Sequence, residues 1–134
     1  MYRSGELGSR VVRKVLVVDD DVEQAEALSM LLQVEGFETA TATSGPQALF
    51  QVAKMQPDAV ILDIGMPGMS GIQVAREMAL RGLGASTRLV ALTGYGDDTD
   101  RLATSQVGFE AHLSKPVDVQ ALLEALRRPL VEGK

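Results

Sequence analysis

Four carboxylates, one hydroxyl and one ammonium group stand after short apolar runs in this chain, and their types set the chemistry available. Asp19, Asp20 and Asp21 follow Val15-Leu16-Val17-Val18, Asp63 follows Ala59-Val60-Ile61-Leu62, Thr93 follows Arg88-Leu89-Val90-Ala91-Leu92, and Lys115 comes after the weaker run Glu110 to Leu113. Two carboxylates about 4 Å apart repel by roughly 4 kcal/mol at an effective dielectric near 20. If these groups meet, the cluster is tolerable only when some are protonated or cations sit among them. Lys115 provides one positive charge, and a divalent ion is the natural second. The chain has no cysteine and a single histidine, His112. Any metal must therefore be a hard cation on oxygen ligands, and a site with few protein ligands suits Mg2+ better than an all-protein Ca2+ cage. A carboxylate beside such an ion can act as a nucleophile and form an aspartyl phosphate. The ion and Lys115 would stabilise charge on the transferring group, and Thr93 could donate a hydrogen bond to it. Acyl transfer is not served, because no Ser-His or Cys-His pair is available.

The elements that must bring these groups together follow from periodicity. Apolar runs that are continuous rather than alternating suit strands buried on both faces of a parallel sheet. Residues 15–18, 59–62 and 88–92 read this way, and 37–42 and 110–113 are weaker strand candidates. Between them lie helical patterns: Val22, Ala25, Leu28, Leu31 and Leu32, with Gly36 as the stop; Ala48, Leu49 and Val52 after a Ser44 cap; Ile72, Val74, Ala75, Met78 and Ala79 after Ser70, with Gly82 as the stop. A shorter helix is expected from Asp97 or Asp98, and a last one after Asp118 carries Val119, Leu122, Leu123 and Leu126. Strand and helix alternate five times, which predicts an α/β fold: a doubly wound, flavodoxin-like sandwich with a five-stranded parallel sheet in the order 2-1-3-4-5. In such a sheet the crevice lies beyond the carboxyl ends of the strands, where Asp19, Asp20, Asp21, Asp63, Thr93 and Lys115 would converge.

The 134 residues, 46% of them hydrophobic, fit one folded domain. Residues 1–10 are polar and without periodicity, so they read as a flexible tail or linker, and 11–130 as the domain. A net charge of −5 lacks the basic footprint of nucleic-acid binding, so no direct nucleic-acid contact is expected. No apolar run is long enough to span a membrane, and the N-terminus lacks the apolar stretch of a signal peptide, so a cytoplasmic protein is expected. A flavin-binding alternative would need a phosphate-binding loop after the first strand, where three aspartates stand instead. The Gly94/Gly96 pair is not a G-x-G-x-x-G fingerprint.

Four segments, VLVVDDD (15–21), ILDIGMPGMSG (61–71), ALTGYG (91–96) and HLSKPVD (112–118), together resemble the receiver domains of two-component response regulators, over about 11–130. The wording of the last three looks most like receivers attached to hybrid histidine kinases. The resemblance implies a phosphoryl-accepting phosphorelay switch rather than an enzyme, with catalysis limited to its own phosphorylation and dephosphorylation. Asp63 would be the phosphoryl acceptor, aided by Lys115 and Thr93. Asp19, Asp20, Asp63 and the Gly65 backbone carbonyl would hold Mg2+, with Asp20 the more direct of the acidic pair. Asp21 would be left as a helix cap. It further implies that Pro116 follows a cis bond and that Pro67, Gly68 and Gly71 form the loop after the acceptor. Thr93 and the residue at 112 would act as a coupled switch. Position 112 usually carries Tyr or Phe in the family, and His112 here departs from that; Gly65 and Tyr95 flank the acceptor site. The implied phosphoryl donor is a histidine kinase or histidine phosphotransfer protein. An output protein would be met by the surface of the helix near 97, the strand 110–113 and the helix after Asp118. The rival reading is a receiver-like binding module that works without phosphate.

Overall fold

The computed structural model describes residues 9–94 and 107–131. Five parallel strands form the sheet: β1 (Lys14–Val18), β2 (Glu38–Ala42), β3 (Ala59–Asp63), β4 (Arg88–Thr93) and β5 (Phe109–Ser114). Their spatial order is β2-β1-β3-β4-β5, the flavodoxin-like order that the alternation of strand and helix predicts. The described helices are α1 (Val22–Val34), α2 (Gly45–Met55), α3 (Gly71–Leu80) and α4 (Val119–Arg127). The helix expected from Asp97 or Asp98 lies outside the described residues, as do Tyr95 and Gly96. Ser9–Arg10, expected within the tail, pairs antiparallel with Leu130–Val131.

The continuous apolar runs divide by the two-residue period of a strand into two cores. Leu16, Val18, Val60, Leu62, Leu89 and Ala91 face α2 and α3, meeting Ala48, Leu49, Val52, Val74, Ala75 and Met78. Val15, Val17, Ala59, Ile61, Val90 and Leu92 face the other way, meeting Ala25 and Leu32 of α1 and Leu122, Leu123 and Leu126 of α4. Every residue of β3 is buried, so the central strand can carry polar chemistry only at its end. Two expected core positions are not core. Val22, the first residue of α1, is 51% exposed, and Ala79 faces solvent on α3.

Helix starts are fixed by side-chain acceptors for the first-turn N–H groups. Asp21 accepts from Glu23 and Gln24, Ser44 from Gln47, and Asp118 from Ala121. Ser70 and Gln73 form a reciprocal capping box at α3. Gly36 and Gly82 follow helix ends with φ of +102° and +69°, a region where a side chain would be strained.

Parallel register aligns the carboxyl ends. Val18 pairs with Ala42 and Leu62, Asp63 with Leu92, and Thr93 with Ser114. The ladder runs one residue further: Asp19 N donates to Ala42 O (3.1 Å), Ile64 N to Leu92 O (2.9 Å) and Lys115 N to Thr93 O (2.8 Å). The polar residues just past the strands are thus held by sheet-like hydrogen bonds at one edge.

Candidate functional site

At that edge one carboxylate oxygen each from Asp19, Asp20 and Asp63 lies within 4.8 Å of the others. Asp19 and Asp63 are buried, 4% and 5% exposed, whereas Asp20 faces solvent. Each buried carboxylate is anchored in the same way. Asp19 Oδ1 accepts from the N–H of Asp21 (2.9 Å), and Asp63 Oδ1 accepts from the N–H of Gly65 (3.0 Å). Both bonds close a short turn two residues on, which fixes the side chain with the chain's own backbone. The other oxygen of each faces one ammonium group: Lys115 Nζ is 2.9 Å from Asp19 Oδ2 and 3.3 Å from Asp63 Oδ2.

The electrostatics follow from that arrangement. Burial pushes the Asp63 carboxyl above the ordinary aspartate value. The Gly65 N–H and the charge of Lys115 pull it down, and the charge of Asp19 raises it further. For Lys115, burial acts downward, but the hydrogen bond to Asp19 and the charges of Asp63 and Asp19 outweigh it and leave the ammonium above its ordinary value. Lys115 is therefore a firmly protonated cation shared between two carboxylates.

The structure brings Asp19, Asp20, Asp63 and Lys115 together and places Thr93 beside them in the sheet, as the last residue of β4. Asp21 stands apart as the N-cap of α1. Gly65 touches the site through its backbone N–H. The Lys115–Pro116 bond is cis. His112 is half-buried on β5, opposite Ala91 of β4. Pro67 and Gly68 are exposed in the loop after Asp63, while Gly71 is buried at the start of α3. Composition and spacing did not single out Gly45 or Met69, whose close contact lies beside this loop. Their only sequence signal is a glycine at the first position of a helix, where alanine would serve the backbone better.

The donor set fits a hard divalent ion: three carboxylate oxygens from three residues, with no histidine or cysteine in the group among the described residues. Beside the site, a cavity of about 600 Å3 lies between α1 and the segment after β5, lined by Asp19, Leu28, Leu31, Leu92, Lys115 and Val117 among others. Among the described residues no helix is long and apolar enough to cross a membrane.

Residues 15–127 match the model of the response regulator receiver domain. The DNA-binding response regulator MtrA of Mycobacterium tuberculosis is 38% identical over 118 residues, which are 88% of this chain and 50% of MtrA. The sensory transduction protein RegX3 of Mycobacterium bovis is 32% identical over 119 residues, 89% of this chain and 51% of RegX3. Among solved structures, the chemotaxis protein CheY4 of Vibrio cholerae superposes with a TM-score of 0.78 at 30% identity, covering 87% of this chain and 97% of that one. A CheY-like receiver domain protein of Methanospirillum hungatei gives 0.75 at 30% identity, covering 84% and 90%. The chain spans about half the length of the curated relatives it matches. The expected absence of nucleic-acid contact is not supported, since MtrA is named as DNA-binding and the acidic balance describes these 134 residues alone. With a matching family model over most of the chain and the same fold in its solved neighbours, this protein belongs to the response regulator receiver domain family.

Proposed function

We propose that this receiver domain takes a phosphoryl group onto Asp63 from the phosphohistidine of a histidine kinase or a histidine phosphotransfer protein, acting in the cytoplasm. In that transfer the P–N bond of the donor breaks, an O–P bond forms at the Asp63 carboxylate, and the donor imidazole leaves. The observation that carries the reading is Lys115 between Asp19 and Asp63, at 2.9 and 3.3 Å. A lysine held there offsets part of the charge of a carboxylate pair at rest and faces the oxygen on which a phosphoryl group would sit. Asp19, Asp20 and Asp63, with the carbonyl of Gly65, would hold Mg2+, which when bound supplies positive charge to the transferring group.

Thr93 would donate its hydroxyl to the bound phosphoryl group. Its strand neighbour is Ser114, which adjoins Lys115, so movement at Thr93 would be transmitted to β5 and to His112 on it. Two conformations with different affinity for the phosphorylated site would then shift in population. The surface of β5, α4 and the segment between β4 and β5 would present the change to an output protein. The test is phosphoryl transfer from a phosphorylated histidine kinase to wild type and to Asp63→Asn. Wild type accepts label in Mg2+ and loses acceptance in EDTA, and the variant takes none. Stable labelling of Asp63→Asn would overturn the acceptor assignment.

A further inference from the structure

The acceptor strand hands over to α3 through residues 64–70, and two close approaches fix that loop. At the first, a Cβ on Gly71 would lie 2.7 Å from the carbonyl oxygen of Asp63 and 3.1 Å from Ile64 Cα. The first residue of α3 therefore sits directly on the backbone that carries Asp63, and Gly71 N donates to Ile64 O (3.2 Å). At the second, a Cβ on Gly45 would lie 2.5 Å from Met69 Sδ and 2.7 Å from both Cβ and Cγ of Met69. Gly45 is buried and is the first residue of α2. Its φ is not in the left-handed region, so the backbone there accepts any residue and alanine would favour the helix. Room for Met69 is what glycine provides. The crowding reaches Met69 Cβ, which cannot swing aside without moving the main chain of the loop.

The start of α2 is anchored to the same sheet edge. It follows β2, whose last residue, Ala42, accepts the hydrogen bond from Asp19 N. The Met69–Gly45 contact thus joins the segment beside Asp19 to the loop after Asp63. We infer that Met69, seated on Gly45, is a positioning residue for phosphoryl acceptance: it holds the loop and, through Gly71, the backbone that places Asp63 against the other acidic groups. The inference rests on the phosphoryl-acceptor reading.

The experiment is a cycle of Gly45→Ala, Met69→Ala and the double variant on the full chain. Phosphoramidate is the donor, phosphorylation rate and half-saturating Mg2+ concentration are the kinetic readouts, and thermal unfolding is measured separately. Gly45→Ala is expected to slow phosphorylation about tenfold and raise the Mg2+ requirement, and Met69→Ala to slow it about threefold. The double variant should be slowed by less than the product of the two single effects, because Met69→Ala removes Sδ and Cγ, two of the three atoms that crowd the new methyl group. A Mg2+ requirement equal to wild type in both single variants overturns the inference, since a purely structural contact would change only the unfolding temperature. So does a double variant slowed by the product of the two single effects. Should Gly45→Ala not fold, recovery of folding in the double variant supports the same contact, and a Mg2+ requirement equal to wild type in Met69→Ala alone overturns the inference. Absence of phosphorylation in wild type would instead sink the acceptor reading itself.

Discussion

Replacing Asp63 by Asn should make the metal-free protein more stable at neutral pH. Asn preserves shape, and its side-chain oxygen can still accept from Gly65 N–H, so the change isolates the charge. Carboxylate oxygens up to 4.8 Å apart repel by about 3.5 kcal/mol per pair at an effective dielectric near 20, and Lys115 at 3.3 Å returns about 5 kcal/mol on the same scale. The burial of Asp63, together with repulsion from Asp19, exceeds that return. This balance agrees in sign with the raised Asp63 pKa. A net gain of about 1–2 kcal/mol corresponds to roughly 3–7 °C for a domain of this size.

The pH dependence follows by linkage. A carboxyl whose folded pKa is raised binds more protons folded than unfolded between its ordinary value of 3.8 and the elevated one, so stability falls as pH rises through that window. The advantage of Asp63→Asn is therefore absent below pH 3.8, grows across the window and is complete above it. Mg2+ reverses the order of response. At ten times its dissociation constant a ligand of the folded state adds about 1.4 kcal/mol, and wild type should collect more of this than the variant. Thermal unfolding of both proteins from pH 4 to 8, in EDTA and in millimolar Mg2+, makes the comparison. A variant no more stable than wild type in EDTA at pH 7 would refute the idea that Asp63 is an uncompensated charge.

Three further outcomes are expected. Lys115→Met should destabilise the metal-free protein by about 2–4 kcal/mol at pH 7, with part regained on acidification as Asp63 takes a proton, and it should lower phosphoryl acceptance; chemical denaturation across pH and a transfer assay check both. The Lys115 contribution is present below the ordinary lysine value and is lost as pH rises through the elevated one. Arg88→Met should cost about 3–5 kcal/mol by urea denaturation while leaving Mg2+ affinity unchanged, because buried Arg88 donates to Ala125 O (2.7 Å), Arg128 O (2.6 Å) and Pro129 O (3.1 Å) at the far end of β4. Asp21→Ala should cost about 1 kcal/mol through loss of the α1 cap, with Mg2+ binding retained in a titration; a large loss of Mg2+ binding would mean that Asp21 is a ligand rather than a cap.

The three central strands were legible because each is buried on both faces and so reads as an unbroken apolar run. The outer strands were weaker signals for a physical reason. Glu38–Ala42 and Phe109–Ser114 are partly exposed along their length, and half-exposed strands tolerate polar residues. Helix limits were legible because caps are local: Asp21, Ser44, Ser70 and Asp118 act on N–H groups two or three residues away. Arg88 was not legible as an anchor. A charge at the head of a strand reads as a solvated end, and its carbonyl partners lie 37 to 41 residues further on. Val22 fits the helical spacing of the α1 core stripe yet stays exposed, because spacing alone cannot place the first turn against the sheet. The Gly45–Met69 contact is tertiary, so neither residue announces it.

Placement and tolerance of charge are solved separately in this site. Asp19 and Asp63 are each positioned by a backbone N–H two residues ahead, on strand ends that the parallel register brings level. That positioning needs no cation. Tolerance comes from Lys115, which arrives from a third strand and touches the remaining oxygen of both. A single ammonium group cannot offset three carboxylates, and burial of Asp63, with the charge of Asp19 added, leaves its carboxyl above the ordinary aspartate value. The geometry is therefore set without an ion, and the unbalanced charge would favour binding one. An acidic cluster built without backbone anchors would relieve its repulsion by moving apart; this one is held in place, so the repulsion is available to favour a divalent cation at the sheet edge.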